Sequence, residues 1–168
     1  ICYNAAMTAI IKTSEVKKMY PRRDPNSHKG QNGRVLVIGG SLDYFGAPLL
    51  SALGGLSGGS DLVTLLVPEC NFEVSRSFYP DFIVQRYGGF FLNTRAIDPA
   101  VELAQKCDAV LIGPGVTEEP DVLRTITRII QKINAPVVLD AEAIPAIAQL
   151  GLPEGEAAVR NITITPHR

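Results

Sequence analysis

The sequence predicts an α/β domain in three layers, a mainly parallel central sheet with helices on both faces. Three observations carry that prediction. Six short runs of four to six largely aliphatic residues recur along the chain, the pattern of strands buried on both faces. Segments with apolar residues at helical spacing lie between them. Glycine and proline close several of the runs, so strand, turn and helix alternate as in βαβ units. With 168 residues, 46% apolar and 20% charged, the chain is expected to form one domain over 1–168 around a real core.

In order, Thr13–Met19 reads as a short helix with Ser14 as its cap, and Pro21–Gly33 as loop. Arg34–Ile38 is the first strand. Ala47–Leu56 follows as a helix with Leu49, Leu50, Leu53 and Leu56 at helical spacing. Gly54, Gly55, Gly58 and Gly59 weaken it, so close packing against the sheet or another subunit is expected there. Leu62–Val67 is a strand closed by Pro68, Asn71–Phe78 a helix, and Phe82–Arg86 a third strand. Asp98–Cys107 reads as helix and Ala109–Ile112 as strand. Thr117, Glu118 and Glu119 supply a cap and an acidic first turn to a helix striped by Val122, Leu123, Ile126, Ile129, Ile130 and Ile133. Pro136–Leu139 is a strand, Glu142–Leu150 a helix, and Ile162–Thr165 the sixth strand.

Composition excludes several classes of function. A net charge of −1 without a basic stripe argues against nucleic acid. No apolar run approaches a membrane span. Cys2, Cys70 and Cys107 form no CxxC pair, which fits a reducing cytoplasm and neither a disulfide framework nor a zinc site. The first strand is followed by Gly39-Gly40-Ser41 and not by G-x-G-x-x-G, which counts against a Rossmann dehydrogenase despite Glu69 after strand two. No P-loop occurs.

Right-handed crossovers place every strand-to-helix loop on one rim of such a sheet. Gly39, Gly40 and Ser41 follow strand one, with Gly46 opening the next helix. Gly113-Pro114-Gly115 follows strand four, Asp140 ends strand five, and Thr165-Pro166-His167 ends strand six. Open α/β sheets bind ligands at that rim, and glycines at a helix start let backbone amides approach a phosphate. Gly39, Gly40, Ser41, Gly46, Gly113 and Asp140 are therefore candidates for a nucleotide or phosphate loop. Each has a plainer alternative. The glycines serve equally as a tight turn, Asp140 as a cap for the helix near Glu142, His167 as a solvated side chain, and His28 and Lys29 as a solvated turn. Tyr44, in a loop between Gly40 and Gly46, suits a stacking surface for a planar ring.

The ordered set Ser27-His28-Lys29-Gly30, Gly33–Ser41, Tyr44, Gly46-Ala47-Pro48, Ala109–Gly115, Val137–Ala141 and Ile164–His167 resembles the ADP/ATP-dependent NAD(P)H-hydrate dehydratases, members of the ribokinase-like superfamily. The resemblance implies a metabolite-repair lyase. Its substrates are the hydrates NADHX and NADPHX, and its co-substrate is ADP or ATP with Mg²⁺ carried by the nucleotide; no metal site is expected in this chain. It also implies a homo-oligomer, often a tetramer. Carried over by motif, Ala47 and Gly115 line the hydrate's site, His167 contacts it and Tyr44 neighbours its ring. Val116-Thr117 stands where the family usually has Leu-Gly, and Glu142 where it usually has Asp. The family's Gly-Thr-Gly-Asp segment, with its catalytic base, is expected beyond residue 168, so the chain by itself is not expected to turn over. A small-molecule kinase of the same superfamily and a non-catalytic nucleotide-binding module remain as alternatives.

Overall fold

The structure, a computed structural model, describes residues 12–20, 22–149 and 161–166. Its six strands are β1 (Arg34–Ile38), β2 (Leu62–Pro68), β3 (Phe82–Tyr87), β4 (Ala109–Ile112), β5 (Val137–Asp140) and β6 (Ile162–Thr165). All pairings are parallel, in the order β3-β2-β1-β4-β5-β6. The chain builds outward from β1 in one direction, then returns to β1 and builds in the other. The reversal lies between β1 and β4, where an open sheet leaves a crevice beyond its strand ends.

The helices are α1 (Thr13–Met19), α2 (Gly46–Ser57), α3 (Phe72–Phe78), α4 (Ile97–Ala104), α5 (Pro120–Lys132) and α6 (Ala146–Gln149). Alternate residues of β1 separate the two faces. Val37 packs with Leu49 and Ala52 of α2 and with Val63 and Leu65. Leu36 and Ile38 join the larger core under α4, α5 and α6. In α5, Val122, Ile126, Ile129 and Ile130 are buried as the stripe requires, and each such side chain contributes about 1.5–3 kcal/mol by leaving water. The backbone of Gly55 approaches Val63 and Val35, so the sheet compensates the glycines of α2 at that position.

Five expectations are corrected. The cap of α1 is Lys12 and not Ser14; the Lys12 amide donates to Glu15 Oε2 at 2.7 Å. Helix α4 ends at Ala104, and a 3₁₀ turn precedes it because Asn93 Oδ1 accepts from the Arg95 amide at 3.0 Å. Helix α5 starts at Pro120 with Glu119 in the cap position and no side-chain cap, which frees Thr117 and Glu118 from the helix. The helix expected over Glu142–Leu150 is a 3₁₀ turn, Ala141–Ala143, followed by the short α6. Pro145 lacks the N–H that a continuous helix would need. Leu50 leaves the apolar stripe of α2 and is 68% exposed.

Loops at the carboxyl rim interlock main chain to main chain. The Gly39 amide donates to Leu66 O at 3.3 Å and that of Gly40 to Pro114 O at 2.8 Å. A Cβ at Gly39 would overlap the Pro114 carbonyl, and one at Gly113 would overlap the Asp140 carbonyl. Gly113 also has φ +129°, a region closed to L side chains. At the opposite rim, Asp61 Oδ2 accepts from the amides of Gly30 (2.9 Å) and Asn32 (3.0 Å) and from Asn32 Nδ2 (2.9 Å). Its Oδ1 lies 3.3 Å from the Arg23 guanidinium. The loop before β1 is thereby tied to the turn into β2.

Two outcomes test this framework. Gly113→Ala should cost about 3 kcal/mol or more in chemical denaturation, whereas Gly46→Ala, with open space at its Cβ position, should change stability by less than about 1 kcal/mol. The hydrogen bonds from Asn32 and from the Gly30 amide, with the charge of Arg23, hold the Asp61 carboxyl below its ordinary value of 3.8 against the opposing pull of desolvation. The stability it contributes is therefore complete above that value and is lost as pH falls through the lower, folded value. Asp61→Asn should lower the melting temperature by a few degrees at pH 7, and the gap to wild type should narrow in melts taken progressively below pH 3.8.

Candidate functional site

The crevice predicted by the strand order is a cleft of about 830 Å³. Its walls come from three neighbouring strand ends. The loop after β1 and the first turns of α2 bring Asp43, Tyr44, Phe45, Gly46, Ala47 and Leu50; the loop after β4 brings Gly115, Val116, Thr117 and Glu118; the end of β5 and the turn after it bring Asp140, Ala141 and Glu142. The volume is of the size that holds a small organic ligand.

Each wall follows from local sequence. Phe45, without a side-chain hydrogen bond, occupies the cap position of α2, and Pro48 in the first turn has no amide to satisfy. The amides of Gly46 and Ala47 are left with no carbonyl inside the helix, at its positive end and on the cleft wall. Tyr44 and Phe45 are 60% and 47% exposed and form an aromatic lip with Leu50. Gly115 backs onto this lip, since a Cβ there would lie 2.6 Å from the Tyr44 carbonyl. The loops after β1 and β4 therefore share one wall.

Tyr44, Gly46, Ala47, Gly115 and Asp140, five of the residues singled out in the sequence, meet in this cleft. Gly39, Gly40, Ser41 and Gly113 lie beneath it and are buried. Their amides are spent on Leu66, Pro114, Tyr44 and Ile38 carbonyls respectively, so in this conformation none is free to meet a phosphate. Their work is to join the loops. His167 lies outside the described residues.

Asp140 does not cap the turn that follows it. Its Oδ1 instead accepts from the Thr165 hydroxyl at 2.6 Å, so the capping alternative is corrected. Sequence reasoning missed Phe45, Leu50, Thr117, Glu118 and Glu142 as wall residues. The sequence pattern puts Glu118 in a helix that in fact starts two residues later, and Leu50 in a buried stripe that it leaves. Among the described residues the wall carries four carboxylates (Asp43, Glu118, Asp140, Glu142) and no lysine, arginine or histidine.

No three His, Cys, Asp or Glu side chains converge to hold a metal ion among the described residues. Cys70 and Cys107 are free, and burial pushes both thiols up from their ordinary value, away from nucleophilic thiolate character. No described helix is long and apolar enough to cross a membrane.

A bifunctional NAD(P)H-hydrate repair enzyme of Methanothermobacter thermautotrophicus is 40% identical over 150 residues, covering 88% of this chain and 28% of that protein. An ADP-dependent (S)-NAD(P)H-hydrate dehydratase of Nitrosopumilus maritimus is 36% identical over 160 residues, covering 94% and 54%. The chain thus spans about a quarter to a half of the relatives it matches. Among solved structures, a ribokinase-like protein of Enterococcus faecalis shares the fold, with a TM-score of 0.71 at 22% identity over 87% of this chain and 49% of that one. The ADP/ATP-dependent NAD(P)H-hydrate dehydratase of Bacillus subtilis, co-crystallised with ATP and Mg²⁺, gives 0.63 at 28% identity over 77% and 44%. The sequence profile of the NAD(P)H-hydrate dehydratases (Carb_kinase) matches residues 35–168, and the chain belongs to that family, with a ribokinase-like α/β fold.

Proposed function

We propose that this chain supplies the hydrate-binding part of an ADP- or ATP-dependent dehydratase that restores NADH or NADPH from NADHX or NADPHX. The observation that carries the reading is the meeting of Tyr44, Ala47 and Gly115 in one cleft at the point where strand order reverses, inside the span matched by the family. Hydroxide is a poor leaving group. In the reaction the ring hydroxyl of the hydrate attacks the terminal phosphorus of the nucleotide, the bond to the departing nucleotide breaks, and the hydroxyl proton passes to a base. Phosphate then leaves with the electrons of its C–O bond while the neighbouring ring carbon gives up a proton to a base, and the electrons of that C–H bond form the double bond of the dihydronicotinamide.

The described residues contribute binding and orientation, which for phosphoryl transfer is a large share of the catalysis. Ala47 and Gly115, lacking bulk, let the hydrate sit against the main chain. Tyr44 offers its ring face to the nicotinamide. The unspent amides of Gly46 and Ala47 at the positive end of α2 suit an anionic oxygen. Asp140 lies on the opposite wall, and His167 contacts the hydrate by family pattern. By the family pattern the base and the nucleotide-binding glycines belong to a Gly-Thr-Gly-Asp segment, which does not occur among these 168 residues. Mg²⁺ arrives with the nucleotide.

The enzyme works as a homo-oligomer, of tetramer type, with the open side of α2 at Gly54 as a contact. It works in the cytoplasm, a setting in keeping with free Cys70 and Cys107.

With the protein at the length of its relatives, NADHX plus ADP or ATP should regenerate the absorbance of reduced nicotinamide. Phosphorylation of a simple alcohol with no regeneration would instead make it a kinase. Tyr44→Ala should raise KM for the hydrate about tenfold, with the melting temperature unmoved because the side chain is largely exposed.

A further inference from the structure

The interlocked rim continues one strand further by a side chain. Asp140 and Thr165 stand opposite one another in the parallel register of β5 and β6. The Thr165 hydroxyl donates to Asp140 Oδ1 at 2.6 Å, with Leu139 O 3.4 Å away as a second, weaker acceptor. Behind Asp140 the main chain is fixed twice. Gly113 packs on the Asp140 carbonyl, and Ala141 holds the left-handed conformation at φ +48°, which costs an alanine energy unless its surroundings impose it. One carboxylate oxygen of a cleft-wall residue is thus occupied from the β6 side, and Oδ2 has no hydrogen-bond partner among the described residues. An ionised carboxylate accepts hydrogen bonds and repels phosphate. Asp43, Glu118 and Glu142 on the same walls add to that repulsion, and no lysine, arginine or histidine among the described wall residues offsets it, which leaves the amides of Gly46 and Ala47 as the wall's anion-facing groups.

We propose that Asp140 accepts a hydrogen bond from a hydroxyl of the bound hydrate, and that Thr165 is the positioning residue that aims it. Asp140 then belongs to the hydrate's subsite and not to a phosphate loop. This rests on the dehydratase reading above.

The test uses the enzyme at the length of its relatives, with NADHX varied at saturating nucleotide and nucleotide varied at saturating NADHX. Thr165→Val keeps the β-branched shape that suits a strand and removes only the donor. It should raise KM for NADHX about tenfold while KM for the nucleotide stays within about twofold and the melting temperature holds. Thr165→Ser, which restores a hydroxyl, should bring KM for NADHX back to within about twofold of wild type. Asp140→Asn should reproduce the selective loss. The inference is overturned if Thr165→Val matches wild type, if the nucleotide KM is the one that moves, or if both constants and the melting temperature shift together. A wild-type enzyme inert toward NADHX overturns the dehydratase reading and this inference with it.

Discussion

The cleft depends on how closely neighbouring strand-end loops approach each other. In a parallel sheet the strands lie about 4.8 Å apart, so the loops leaving adjacent strands must pass at nearly the same spacing before any side chain is placed. Gly39 against Pro114, Gly113 against Asp140 and Gly115 against Tyr44 are the points where this chain meets that limit. Removing three Cβ atoms lets the loops after β1, β4 and β5 touch through their main chains. Side chains are then pushed to the outer wall, where Tyr44, Phe45, Leu50 and Glu118 stand.

This assigns the two rims different work. At the carboxyl rim polar groups and aromatic rings are left facing open space, which a ligand site requires and a stability-driven surface would avoid. At the amino rim the Asp61 carboxylate gathers Arg23, Gly30 and Asn32 into a knot that engages its lone pairs within the protein. Gly30 belongs to the Ser27–Gly30 run that helps carry the family resemblance, and it lies at the end of the sheet away from the cleft. Part of that resemblance therefore records folding and not chemistry.

The sheet was legible in the sequence because its central strands are largely buried and read as aliphatic runs; the edge strands β3 and β6 are more exposed, yet all six fall within a residue or so of their predicted bounds. Helix starts were less legible. Ser14, Thr117 and Asp140 are all good capping residue types, yet none caps, since a cap depends on where the chain turns and not on residue type alone. Leu50 obeys the helical spacing but faces the cleft, because a spacing rule fixes an angle around the axis and not what lies outside it. By sequence alone the glycines after strand one suit a phosphate cradle and a tight turn equally. Their partners are the carbonyls of Leu66 and Pro114, the latter some 75 residues away, and no local pattern announces them. The coming together of Tyr44, Ala47, Gly115 and Asp140 was legible, because it needs only strand polarity and crossover handedness.

The contact of Gly113 on the Asp140 carbonyl has a mechanical meaning. Two main chains pressed together with no side chain between them have no rotamer to change and little freedom to slide, so the floor of the cleft behaves as one stiff piece from β1 to β5. Any widening needed to admit or release a ligand has to be taken up by the aromatic lip, whose side chains are held by few neighbours.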